Sequence, residues 1–209
     1  MPTRISALHR LPREDIRPAA AALARAFEHD PIWARAFAGI PLEKAMPWYE
    51  GPLRYGLRYG RVYATSDRLE GVVAVAPRQY ADMTAWRSLR SGMLRVGLRM
   101  PPRMMMRVFR LMRDFRIIEA HRREHMGERD YIYVMIVGVD PEHQGVGQGS
   151  KLLRALTEES DQTGVPIYLE TETEENVRMY EHLGFEVLRE IELPVAGFPL
   201  WEMLREPAG

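Results

Sequence analysis

The chain has no cysteine among its 209 residues. That excludes disulfides, thiolate zinc sites, iron–sulfur clusters and cysteine nucleophiles, and it fits a reducing compartment. Lysine is almost missing as well: Lys44 and Lys151 are the only two among 29 basic residues. This arginine preference has the look of codon bias. No apolar run reaches the length of a membrane span, and no basic segment leading into an apolar one opens the chain. A cytoplasmic protein with no membrane partner is therefore expected. Formal net charge is zero, which argues against a general nucleic-acid binder. His121 and His125 share a helix face, but two imidazoles with no third ligand in view do not make a metal site, and none is expected. No serine has the nucleophile-elbow setting.

What is present is unevenly spread. Arg78 to Arg129 holds 13 arginines against 5 acids, whereas Asp140 to Glu192 holds 13 acids against 4 basic residues. Each run can be a solvated face. Together they can also set up a field that holds an anionic cofactor at one end and draws a cationic substrate to the other.

Spacing and turn chemistry predict the elements. Thr3 to Leu8 reads as an opening strand, and Ala19 to Phe27 as a helix with Pro18 at its start. Asp30-Pro31 restarts the chain into a segment holding Ile32, Trp33 and Phe37. Pro41 to Tyr59 reads as helical. Arg61 to Thr65 and Leu69 to Ala76 form a hairpin. Ala85 to Met100 has helical spacing through Leu89, Met93, Val96 and Met100, until Pro101-Pro102 breaks it. Arg103 to Glu124 is a long helix with Met104, Val108, Leu111, Met112, Phe115 and Ile118 on one face, as core or as a pocket wall. Then come a strand (Asp130 to Val139), a helix (Gly147 to Gln162), a strand (Pro166 to Leu169), a helix (Glu175 to Leu183) stopped by Gly184, and strands at Phe185 to Leu193 and Phe198 to Leu204. The order implies a mixed α/β (α+β) fold, a mixed sheet covered by helices.

The most informative stretch runs from Val137 to Leu153, a strand, a glycine-rich turn and a helix. Such a turn presents unpartnered backbone N–H groups and the positive end of a helix dipole to an anion, which suits a phosphate. It is not the loop of nucleotide triphosphatases, because Lys151 does not follow the last glycine. It misses the dinucleotide fingerprint G-x-G-x-x-G by one residue, although Glu170 lies where a ribose-binding acid would. A turn whose glycines serve only packing is the remaining plain reading.

Gln144-x-x-Gly147-x-Gly149 resembles the acetyl-coenzyme A signature of the GCN5-related N-acetyltransferases (GNAT superfamily), and Asn176-x-x-x-Tyr180-x-x-x-Gly184-Phe185 resembles a second block of that family. The resemblance covers roughly residues 130–190. Phe27 to Pro31 and Pro199-Leu200-Trp201-x-Met203 are similar to the branch of puromycin-type antibiotic acetyltransferases. The resemblance implies a central mixed, twisted sheet of about seven strands flanked by helices. It implies one N-acetyltransferase domain over 1–209, with the main sheet in 61–206 and a helical insertion over 84–125 lining the acceptor cleft. It also implies acetyl-CoA as co-substrate, no metal, a small-molecule amine as acceptor and, as often in that family, a homodimer.

Carried over residue by residue, Val137 and Val139 would lie on a splayed strand that pairs with the pantetheine arm. Gln144, Gly145, Val146, Gly147, Gln148 and Gly149 would cradle the pyrophosphate, glycine being needed where a Cβ would block close approach, and Ser150 would add a hydroxyl. Asn176 would hold the cofactor or only cap its helix. A backbone N–H at Val137 or Val139 would face the developing oxyanion. Tyr180 would protonate the departing thiolate, with packing against Phe185 as its plainer role. Glu170 is the first candidate base, Glu119, His121 and His125 are alternatives, and Glu70 lines the cleft or serves a turn. The acids at 170, 172, 174 and 175 would attract a cationic amine. A protein N-acetyltransferase and a non-catalytic acyl-CoA-binding sensor or regulatory module are the competing readings.

Overall fold

The valine-rich run at 71–77 is buried on both faces over almost its whole length, which marks a central strand covered by helices on either side. In the computed structural model, residues 4–30 and 37–208 are described. Thr3, Pro31, Ile32 and Trp33, named above, lie outside them. Seven strands are present among the described residues: β1 (His9–Arg10), β2 (Arg61–Ala64), β3 (Gly71–Pro77), β4 (Ile132–Val139), β5 (Ile167–Thr171), β6 (Glu186–Glu192) and β7 (Pro199–Arg205). They form one sheet in the order β1-β2-β3-β4-β5-β7-β6. Only β4 and β5 pair in parallel.

Among the described residues the α-helices are α1 (Ile16–Ala26), α2 (Leu42–Tyr59), α3 (Ala85–Arg90), α4 (Met93–Gly97), α5 (Pro102–Met126), α6 (Gln148–Thr163) and α7 (Glu174–Glu181). Strand alternation sends Val73, Val75, Ile167 and Leu169 to one face, where Leu152, Leu153 and Leu156 of α6 and Val177 and Tyr180 of α7 cover them. Val72 and Ala74 point to the other face, against Ala19, Ala20 and Leu23 of α1 and Tyr49 and Leu53 of α2. The end of α5 lies on this second face, Met126 packing with Tyr131 and Tyr168.

The architecture is the expected one, with local differences. Residues 5–7 make a 3-10 turn, closed by Ala7 N–H to Arg4 C=O at 2.8 Å, and the opening strand is displaced to His9–Arg10. The sheet therefore begins before residue 61, since His9 pairs with Ala64. Ala85 to Met100 is two short helices, because Gly92 takes φ 91° between them. On α5, Met104 is buried and Met112 is exposed, while Val108, Leu111, Phe115 and Ile118 are half-buried.

Candidate active site

The site is built where β4 and β5 part. Their parallel pairing holds only at Ile132↔Ile167 and Tyr133↔Tyr168. Beyond it both strands continue, β4 to Val139 and β5 to Thr171, with a gap between them. The pairing of β3 with β4 steps from Val75↔Val134 to Ala74↔Ile136, which leaves Met135 as a bulge. Past the bulge the direction of the backbone groups follows from the ladder. Asp140 N–H donates to Glu70 C=O at 2.8 Å. In an antiparallel pair such groups alternate, so Gly138 and Ile136 bond to β3, while the N–H and C=O of Val137 and Val139 face the gap.

The turn after β4 is held in place from behind. The Asp140 carboxylate accepts from Arg25 Nε at 2.9 Å and from Glu142 N–H at 3.3 Å. Burial alone would raise its pKa, but the Arg25 guanidinium and that N–H hold it below the usual carboxylate range. Gln144 Nε2 donates to Val139 C=O at 3.0 Å, closing the turn on itself. Gly145 and Gly147 take φ 75° and 85°. A Cβ on either would meet nothing within 4 Å. The left-handed backbone favours glycine at both positions, and the space before them is open. The first intrahelical bond of α6 is Lys151 N–H to Gly147 C=O at 2.9 Å. The N–H groups of residues 145–150 donate no hydrogen bond of ordinary geometry to a described residue. Donors arranged in this way at the positive end of α6 have the geometry of an anion cradle. Val146 and Ser150 are exposed beside it.

Tyr180 sits in the same apolar cluster as Val134, Leu152 and Val177, with Val137 packed on it. Its ring meets Phe185 edge-on at 5.5 Å between centroids. Burial first, and Glu172 second, push its pKa up, so the phenol keeps its proton. The hydroxyl has no hydrogen bond to a described residue, yet it is not sealed in the interior either. Thr173, not Asn176, caps α7: Thr173 Oγ1 accepts from Asn176 N–H at 3.2 Å. Asn176 stands in the first turn, half-buried, with no hydrogen bond from its side chain to a described residue.

On the second face lies a cluster of buried polar groups. Glu170 of β5 accepts from Arg122 Nη1 at 3.0 Å. Arg122 is buried, donates from Nη2 to Asp82 Oδ1 at 3.0 Å, and stacks on the Tyr133 ring at 4.1 Å. Burial raises the Glu170 pKa and Arg122 opposes the rise. Glu202 is the cross-strand partner of Glu170 and is fully buried. His121 Nδ1 lies 2.9 Å from its Oε1 and His125 Nε2 lies 3.2 Å from its Oε2. His121 is thus hydrogen-bonded to a carboxylate that sequence reasoning missed, and His125 lies beside it without a hydrogen bond of ordinary geometry. A lone acid between Trp201 and Met203 in an apolar strand was the signal available. Glu172, just past β5, is half-buried, and burial, Asp30 and Glu170 raise its pKa. Glu119 is half-buried on α5 and makes no hydrogen bond or ion pair with a described residue. Glu70 accepts from Ser66 Oγ at 2.6 Å and Thr65 Oγ1 at 3.1 Å, which makes it a clasp of the β2–β3 turn. Among the described residues no group of three or more His, Asp or Glu side chains is arranged to hold a metal ion.

A mixed seven-stranded sheet with helices on both faces and two central parallel strands that part is an architecture this chain shares with GNAT acetyltransferases. Residues 111–187 match the family model described as acetyltransferase (GNAT) domain. An uncharacterized N-acetyltransferase of Schizosaccharomyces pombe is 34% identical over 131 residues, which are 60% of this chain and 52% of that one. The chain thus spans about half the length of that relative. Among solved structures, a histone acetyltransferase HPA2 and related acetyltransferase from Corynebacterium glutamicum superposes with TM-score 0.62 at 19% identity, over 97% of this chain and 96% of that one. The Drosophila melanogaster polyamine N-acetyltransferase, which forms N-acetylagmatine, gives TM-score 0.63 at 11% identity, over 95% and 98%. Nothing in these likenesses singles out the branch of puromycin-type enzymes.

Proposed function

We propose that this protein is an acetyl-CoA-dependent N-acetyltransferase that acetylates the primary amine of a small, cationic molecule by direct attack on the thioester. The observation that carries this reading is a juxtaposition. Six consecutive N–H groups, residues 145–150, that donate no hydrogen bond of ordinary geometry to a described residue stand beside two parallel strands that separate after Tyr133 and Tyr168. A pyrophosphate on the cradle would lead its pantetheine arm into the gap, where Val139 N–H and the backbone of Val137 offer the hydrogen bonds of a missing strand. The thioester carbonyl would then lie near Val137 N–H, a fixed donor for the charge that develops on its oxygen. Tyr180, protonated and with its hydroxyl making no hydrogen bond to a described residue, would donate to the departing thiolate.

The acceptor would come from the second face, where Glu170 and Glu172 stand at the end of β5. Two carboxylates that burial raises in proton affinity suit the capture of an ammonium and the removal of its proton. Glu170 is engaged by Arg122, so in this reading it positions the amine and Glu172 takes the proton, directly or through water. Glu119 has no such neighbours. The polyamine specificity of one fold neighbour fits an acid-lined acceptor site.

The test is twofold. Acetyl-CoA titrated into the protein in a calorimeter binds, and Gly147→Trp, which fills the open cradle, abolishes that binding while the variant keeps its far-UV circular dichroism. Acetyl transfer, read as released thiol, occurs with polyamines and arylalkylamines and not with the corresponding alcohols. Unchanged acetyl-CoA affinity in Gly147→Trp would refute the cradle. Tight binding without transfer to any amine would favour the sensor module.

A further inference from the structure

Residues 83–113 contain eight arginines and no acid. The same stretch supplies eight of the eleven large apolar side chains exposed among the described residues. Trp86 is 64% exposed, Leu94 60%, Leu98 79%, Met106 63% and Phe109 77%. The elements that carry them adjoin. A Cβ at Gly97, the end of α4, would stand 3.1 Å from Met105 Cε of α5. On α5, Met104 and Leu111 turn inward to Phe37 and Trp48. Met105, Phe109 and Met112 recur at i, i+4 and i+7 on an adjacent face, about 100° round the helix. The helix is therefore apolar on two sides and buries only one. Arg95, Arg103, Arg110 and Arg113 flank the outward stripe, exposed and without an ion pair to a described residue.

Eight exposed large apolar side chains on neighbouring elements mark a contact site, and the charge around them selects the partner. A second copy joined by a twofold axis would set arginines against arginines with no acid inside the patch to relieve them. A nucleic acid would neutralise the arginines and leave Leu98 and Phe109 against water. The headgroup boundary of a bilayer accepts both features, since apolar side chains enter the acyl region while arginines beside them meet lipid phosphates. No helix among the described residues is long and apolar enough to cross a membrane, so the contact is peripheral. We propose that α3, α4 and the first half of α5 dock this protein on the surface of an anionic lipid bilayer. This goes beyond the acetyl-transfer reading and stands independently of it.

The experiment is flotation of the full chain with phosphatidylcholine vesicles, with and without phosphatidylserine. Binding is expected with the anionic vesicles, reduced by salt, and absent with phosphatidylcholine alone. Trp86 fluorescence shifts to the blue on binding, and that part of the signal disappears in Trp86→Phe. The pair Arg110→Gln and Arg113→Gln weakens binding about thirtyfold, at roughly fivefold per charge near the surface. The pair Leu98→Gln and Phe109→Gln, at exposed positions that the fold does not need, weakens it at least as much. Three results would overturn the proposal: no flotation with anionic vesicles at low salt; a dimer in light scattering that these variants dissociate, without vesicle binding; or binding of a DNA duplex that the arginine pair weakens and the Leu98/Phe109 pair does not.

Discussion

Replacing Arg122 by methionine separates the electrostatic role of the second-face cluster from its packing. The guanidinium is buried, and it faces Glu170 at 3.0 Å and Asp82 at 3.0 Å. Asp82 keeps a second partner, Arg123 at 3.1 Å, so the loss falls on Glu170. Removing one member of a buried pair costs about 3–5 kcal/mol. The low end is expected here, because methionine retains much of the volume and the buried, unpartnered Arg122 Nε disappears with the side chain. A cost of about 3 kcal/mol leaves a domain of this size folded. The pH dependence carries the argument. Burial already raises the Glu170 carboxyl above its ordinary value, and Arg122 is what opposes that rise. Without Arg122 the folded-state value climbs further. A group raised in the folded state contributes stability that is complete below its unfolded pKa and is lost as pH rises through the folded one. The deficit of Arg122→Met is therefore small in mild acid and full at neutral pH. Adding Glu170→Gln removes that pH dependence and recovers part of the loss. Urea unfolding followed by circular dichroism at the two pH values reads all three quantities. A deficit equal at both pH values, or one below about 1 kcal/mol at neutral pH, would refute the assignment of Glu170 as the charge that Arg122 holds.

Two further outcomes follow from the same geometry. Tyr180→Phe keeps the edge-on contact with Phe185 and loses no protein hydrogen bond, so stability and acetyl-CoA affinity hold while turnover falls about a hundredfold or more; wild-type turnover would pass the proton-donor role to water. For Glu172, raised by burial and by Asp30 and Glu170, the acid limb of kcat/KM lies above the ordinary carboxylate range, and Glu172→Gln removes that limb and lowers kcat/KM at neutral pH. A profile that Glu172→Gln leaves in place would return the base to Glu170 or Glu119.

The parts of this site that the sequence discloses are those whose causes are local. Gly145 and Gly147 are written into the chain because a left-handed backbone needs them, and the helix that follows declares itself by Leu152, Leu153 and Leu156. Gly184, at φ 85°, can be read for the same reason, whereas Tyr180 stands out only through the resemblance of its block to a known family. What escaped were relations between distant segments. His121 and Glu202 are 81 residues apart, and no periodicity links them. Arg122 looks like one more arginine of a basic helix until β5 is laid beneath it. The split of 85–100 at Gly92 was missed because apolar spacing continued across the break, and spacing is blind to a single φ. Capping was one of two readings of Asn176 because the true cap, Thr173, stands three residues earlier in a run of acids that drew attention to charge.

The bulge at Met135 ties the fold to the chemistry. Before it, Ile132 N–H turns away from β3 and donates to Pro166 C=O at 2.8 Å, as a regular parallel neighbour requires. In an unbroken ladder the even-numbered residues would keep that direction, and Val137 and Val139 would spend their N–H groups on β3. The extra residue reverses the phase, so that Val137 and Val139 face the gap just where β5 no longer pairs. It also turns Gly138 toward α1, where a Cβ would come within 2.9 Å of Leu23 and 3.0 Å of Phe27. The helix that packs so closely there carries Arg25, and Arg25 holds Asp140 at the head of the cradle. One inserted residue therefore frees the donors in the gap and, through Gly138 and α1, fixes the turn that stands beside them.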